Sequence, residues 1–101
     1  MSMCMDVSES VNVNIHFNKN WKVILYDDPT TNELFIMYIL VEIFQYGNEK
    51  AFDLMKLIER TGSQVIAVLP KKLAEKRVEK ATNATNQLGF KDFNIKIEEE
   101  D

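Results

Sequence analysis

Apolar residues in this chain recur with two different periods, and the switches between them divide it into six elements. Trp21-Lys22-Val23-Ile24-Leu25-Tyr26 is a run of aromatic and β-branched residues that stops at Asp27-Asp28-Pro29, as a strand does on entering a turn. Thr30 or Thr31 then supplies a helix N-cap, and Thr30-Thr31-Asn32-Glu33 has the spacing of a capping box. Over 34–46 the period becomes helical: Ile36, Ile39, Leu40, Ile43 and Phe44 line one face, and Gly47 ends the element. Asn48 is placed to cap a second helix over 49–60, with Phe52, Leu54, Met55 and Ile58 facing inward and Gly62 just past its end. The run 64–69, all apolar but for Gln64, reads as a buried strand. Pro70 suits the first turn of a third helix, whose apolar line is Ala74, Val78, Ala81 and Leu88 and which ends at Gly89. In the last strand Phe93, Ile95 and Ile97 alternate with Asn94, Lys96 and Glu98. The order β-α-α-β-α-β predicts an α+β fold: one domain, a three-stranded sheet packed with three helices.

The compact part is expected over 20–98. Residues 1–19 mix Ser, Asn, Val and Met without a sustained period and are expected to form a flexible N-terminal extension, with a short strand near 11–17. Residues 99–101 read as an acidic tail.

Charge sharpens this division. Sixteen acidic and twelve basic residues give a net −4, and Glu98, Glu99, Glu100 and Asp101 account for all of it. The remainder is balanced, which argues against a nucleic-acid binder that works by bulk charge, because phosphate neutralisation needs a cationic surplus. The longest apolar stretch, 34–41, is too short to span a bilayer, and the N-terminus lacks the charged lead of a secretory signal. A single cysteine, Cys4, forms neither an internal disulfide nor a zinc site, so a cytoplasmic setting and a monomer are expected, with no membrane partner.

Little in the sequence points to catalysis. His16 is the only histidine and falls in the extension, as does Cys4, which has no nearby base to lower its pKa. No glycine-rich loop follows a strand, so no phosphate cradle, metal or cofactor is expected. Two features remain. The turn 27–31 is explained by turn chemistry, since Asp accepts backbone N–H bonds, Pro fixes φ and Thr caps; its functional reading is an anionic rim for a cation such as an amine or Mg²⁺. The third helix carries Lys71, Lys72, Lys76, Arg77 and Lys80, interleaved with Glu75 and Glu79, which is either a solvated face or a surface for a partner.

Taken together, these elements resemble the ClpS family, adaptors of the bacterial ATP-dependent Clp protease. The resemblance covers about 21–98. It rests on Trp21-Lys22-Val23-Ile24-Leu25 before the double Asp, the threonines and the Phe35 helix, then Ala51, Leu54-Met55, Ile58 and Gly62, then Leu73-Ala74-Glu75-Lys76-Arg77-Val78, and the strand from Phe93. It implies a non-enzymatic adaptor that binds the N-terminal residue of a substrate protein, a free α-amino group with a bulky apolar side chain, and delivers it to a Clp unfoldase. By position, Asp27, Asp28, Thr31 (or Thr30) and Glu59 fall where the family holds the α-amino group. Glu33, Ile36, Met55, Ile58 and Phe93 fall around the side-chain pocket. Lys72, Glu75, Lys76 and Arg77 fall where it docks on the N-terminal domain of a ClpA-like unfoldase.

Several positions depart from the family pattern. Asp27 replaces asparagine, Pro29 an aspartate, Glu33 a gatekeeping methionine, Glu59 a histidine, and Lys72 a glutamate. The added carboxylates remain hydrogen-bond acceptors and attract an ammonium, yet they repel one another in an empty pocket. Two outcomes stay open at this point: a pocket that grips the amino group by charge, or a shifted or lost specificity. A second reading of the whole chain is a docking domain of similar fold, like the C-terminal domain of the ribosomal stalk protein, using the basic helix face without binding N-termini.

Overall fold

The aromatic and β-branched run forms strand β1 (Asn20–Tyr26), and it takes the centre of the sheet. The computed structural model describes residues 19–100; the expected extension up to residue 18, with its strand near 11–17, Cys4 and His16, and the last residue lie outside the described residues. After β1 come helix α1 (Glu33–Tyr38), which widens into a π-helical turn over Ile39–Ile43, helix α2 (Asn48–Thr61), strand β2 (Ser63–Pro70), helix α3 (Lys71–Leu88) and strand β3 (Asn94–Glu99). The sheet order is β2-β1-β3, antiparallel throughout, so the expected β-α-α-β-α-β fold is the one observed. No helix among the described residues is long and apolar enough to cross a membrane.

The core lies between the helices and one face of the sheet. Val23 and Leu25 of β1 are fully buried there, with Ile39 and Leu40 from the π-helical turn, Ala51, Met55 and Ile58 from α2, and Ala74 and Ala81 from α3. Residues at i, i+4 and i+7 on α2 share that face, which is why Ala51, Met55 and Ile58 are buried together. The register slips between Val23 and Ile24, which pair with Ala67 and Val65; the residue skipped, Ile66, is a bulge that is itself buried.

Several expectations need correction. Residues 64–69 are not a buried strand: β2 is an edge strand, and Val65 and Val68 are 42% and 43% exposed, because they sit opposite Ile24 and Lys22 on the face away from the helices. Phe52 (48% exposed) is turned outward, one residue from Ala51 and so about 100° around the helix. Leu88 (62% exposed) lies at the very end of α3; its place in the core is taken by Thr85, whose hydroxyl donates to the Ala81 carbonyl at 2.7 Å. The first helix ends earlier than 46, with Gln45 in the left-handed region at φ 65° reversing the chain. Its N-cap is Asn32, the residue just before the first helical one, whose side chain accepts from the Leu34 N–H at 2.7 Å, while both threonine hydroxyls point to Asp28. Gly47, in an extended conformation, precedes α2 where Asn48 was the expected cap, and Asn48 is the first helical residue. β3 runs through Glu99, whose carboxylate meets Lys19 at 3.4 Å, and the Glu100 N–H donates to the Asn20 carbonyl.

Candidate functional site

Three elements converge where β1 ends. The loop 27–32 turns the chain from β1 into α1, and α2 lies alongside. The loop is anchored from below: the Asp27 N–H donates to the carbonyl of Gly62 at 2.9 Å, while Gly62 itself ends α2 at φ 94°. Between loop, α1 and α2 is a cavity of about 280 Å³. Its apolar part is Ile36, Met55 and Ile58; its polar part is Asp27, Asp28, Thr31, Glu33 and Glu59, with Tyr26 and Pro29 completing the wall. Met55, Ile58 and Glu59 share one face of α2 because they are three and four residues apart.

The two adjacent aspartates have different surroundings. Asp28 collects four donors from the threonines: the Thr30 N–H (2.9 Å), the Thr30 hydroxyl (2.7 Å), the Thr31 N–H (2.9 Å) and, through its other oxygen, the Thr31 hydroxyl. Partial burial pushes the Asp28 carboxyl up, but the bonds from Thr31 and Thr30 together outweigh it and hold the group below its ordinary value. Asp27 lines the same cavity, is exposed, and has no side-chain hydrogen bond or ion pair among the described residues. Because Thr31 gives its proton to Asp28, its oxygen is left with acceptor capacity only.

The other two carboxylates are joined. Lys56 reaches Glu33 at 3.2 Å and Glu59 at 3.4 Å, tying α1 to α2 across the cavity mouth, and its ammonium lies 5.5 Å from the centre of the Phe52 ring. The neighbouring Glu59, together with Lys56, holds Glu33 below its ordinary value. The same neighbour acts in the opposite sense on Glu59, which Glu33 pushes up against the counter-effect of Lys56; Lys56 is raised by both carboxylates. The expected repulsion among carboxylates is therefore partly offset by a lysine that the sequence reading passed over. Its signal was present, as Lys56 and Glu59 have an ion-pair spacing on a helix.

Of the residues expected at this site, Asp27, Asp28, Thr31, Glu33, Ile36, Met55, Ile58 and Glu59 are brought together around one cavity. Thr30 and Phe93 are not. Thr30 faces away, bonded to Asp28 and to Asp92 at 3.3 Å. Phe93, just before β3, turns its ring edge-on to Phe35 with centroids 5.5 Å apart, in an aromatic cluster that also holds Phe90.

The expected docking set also divides. Lys72, Glu75 and Lys76 line an open groove of about 630 Å³ with Glu79, Thr82 and Asn83, over Val78 and Ile97. Arg77 does not join them: its guanidinium donates to the Ile43 carbonyl at 2.8 Å and lies 6.0 Å from the Phe44 ring, closing the end of the first helix. Lys71, from the same basic cluster, stands over Trp21 at 5.0 Å.

A sheet covered by helices, with an acid-rimmed cavity at one end and a charged groove along α3, is the design of a small two-sided binding domain. The sequence profile of the ATP-dependent Clp protease adaptor protein ClpS matches residues 16–94, and the chain belongs to the ClpS family. It is 31% identical over 78 residues to the ClpS adapter protein of Nautilia profundicola, covering 77% of this chain and 80% of that one. Against the ClpS adapter of Campylobacter jejuni the identity is 33% over 82 residues, covering 81% and 84%. Among solved structures, that of Agrobacterium tumefaciens ClpS2 bound to L-phenylalaninamide superposes with a TM-score of 0.77 at 28% identity, covering 82% of this chain and 99% of that one. The protein is thus a non-enzymatic adaptor of the Clp protease, and the ribosomal-stalk reading is set aside.

Proposed function

We propose that the cavity at the end of β1 binds the N-terminal residue of substrate proteins and that the α3 groove docks on a ClpA-like unfoldase N-terminal domain. The observation that carries the first half is the division of the cavity wall into an acidic side and an apolar side. A free protein N-terminus has the complementary chemistry, an ammonium one bond from the carbon that bears its side chain. Asp27 and Glu59, with the Thr31 oxygen, accept from the ammonium in charge-assisted contacts. Ile36, Met55 and Ile58 receive the side chain, whose full burial contributes about 2 kcal/mol. At about 280 Å³ the cavity is below the roughly 300–1,000 Å³ of drug-sized sites, which suits one side chain. The solved relative is bound to L-phenylalaninamide, a molecule that carries both of these parts.

Asp28 shapes the loop, orients Thr31 and, through the oxygen that takes only the Thr31 hydroxyl, offers the ammonium a further acceptor. Calorimetric titration with peptides beginning Leu, Phe, Tyr or Trp is expected to show binding that N-acetylation abolishes. Failure of every free-amine peptide to bind would overturn the reading of the cavity.

A further inference from the structure

We propose that Lys56 is a built-in competitor for the substrate's ammonium, and that it sets how tightly this pocket holds an N-terminus. The inference rests on the reading of the cavity as an α-amino site. Of the four carboxylates on the wall, Asp28 already takes four donors from the threonines, three on one oxygen and one on the other, and Asp27, Glu33 and Glu59 are the three more open to an incoming cation. Two of those three already hold one: Lys56 lies 3.2 Å from Glu33 and 3.4 Å from Glu59.

The substrate's α-ammonium and the Lys56 ammonium are the same functional group, and both draw on the same acceptors. An ammonium arriving at Glu59 either displaces Lys56 or shares the carboxylate with it, and in either case it meets the repulsion of a like charge at the rim. Lys56 keeps a partner when it releases a carboxylate, because its ammonium already stands 5.5 Å from the centre of the exposed Phe52 ring on the same helix. The bridge is solvent-exposed, so it is labile enough to exchange on binding. A merely structural bridge would act in the opposite direction, since removing it would free Glu33 and Glu59 to wander and would weaken binding.

This direction makes the test sharp. L-Phenylalaninamide, with its N-acetyl derivative as control, is titrated by calorimetry into the wild type, Lys56→Gln and Lys50→Gln at two salt concentrations. Lys50→Gln removes the same charge from the same helix at a residue that, among the described residues, makes no ion pair with the carboxylates of the cavity. Lys56→Gln is expected to bind about two- to fivefold tighter than wild type, the range of one exposed ion pair, and to lose affinity more steeply as salt is added. Lys50→Gln is expected to match the wild type. Circular dichroism melts confirm that each variant is folded. Equal or weaker binding by folded Lys56→Gln, with wild type binding normally, overturns the inference alone. Equal tightening in both variants also overturns it, by assigning the effect to net charge. Absence of binding in all three proteins overturns the reading of the cavity and this inference with it.

Discussion

Asp27 and Asp28 carry the same group on neighbouring residues and are separated by what surrounds them. Four donors converge on Asp28, so its removal releases the loop, whereas among the described residues Asp27 is held by its backbone alone. Asp28→Ala is expected to lower stability by about 1–2 kcal/mol in chemical denaturation, allowing for solvent around the site. Asp27→Asn is expected to leave stability unchanged and to weaken free-amine peptides by about 1 kcal/mol in calorimetry. The depressed value of Asp28 fixes the sign of its pH dependence: its contribution is complete above the ordinary carboxylate range and is lost only as pH falls through the lowered value. The Thr30 and Thr31 amide resonances report this directly in an acid titration. At this scale the sequence revealed which residues gather but not how they divide. The Asp-Asp-Pro-Thr-Thr string contains the acceptors and donors, while their pairing depends on loop torsions that no periodicity encodes.

Elements meet at the site through their ends. Gly62 closes α2 at φ 94°, its N–H donating to Ile58 and its carbonyl accepting from Asp27, so one residue joins the helix that carries Met55, Ile58 and Glu59 to the loop. A Cβ added at Gly62 meets nothing within 4 Å. The expected cost of Gly62→Ala is therefore conformational, about 1–2 kcal/mol, measured by denaturation with an unchanged m-value. This glycine was legible as a helix stop, since an apolar helical period followed by glycine has that meaning. Arg77 was misplaced although the information was available: Ala74, Arg77, Val78 and Ala81 follow the inward period of α3, while Lys72 and Lys76 follow the outward one. Its charge suggested a partner, and its position in the period put it over an open helix end. The exposure of β2 was not legible, because nothing along the chain says that β1 is central and that β2 has only one neighbour.

Over the whole molecule the charges are sorted, though less cleanly than by sign. Carboxylates gather at the loop end and lysines along α3, but Lys56 sits among the former and Glu75 and Glu79 among the latter. The two sites share no lining residue. Replacing Glu75 and Lys76 together by Ala is therefore expected to weaken association with a ClpA-like N-terminal domain about tenfold, with peptide affinity unchanged. Calorimetry of each ligand against the same double variant checks both halves. The balance of twelve acids against twelve bases over 1–97 could not show this arrangement, since a sum carries no positions.

β1 enters the sheet at Asn20 and leaves it at Tyr26, on the cavity wall. Seven residues at about 3.3 Å each separate these points by roughly 20 Å, so the chain joins the fold at the end away from the cavity. That polarity makes the molecule easy to hold. A tether to a sensor chip, a resin or a fused carrier through the chain before β1 leaves the mouth of the cavity facing outward, and under the proposed function the immobilised adaptor is expected to capture free protein N-termini.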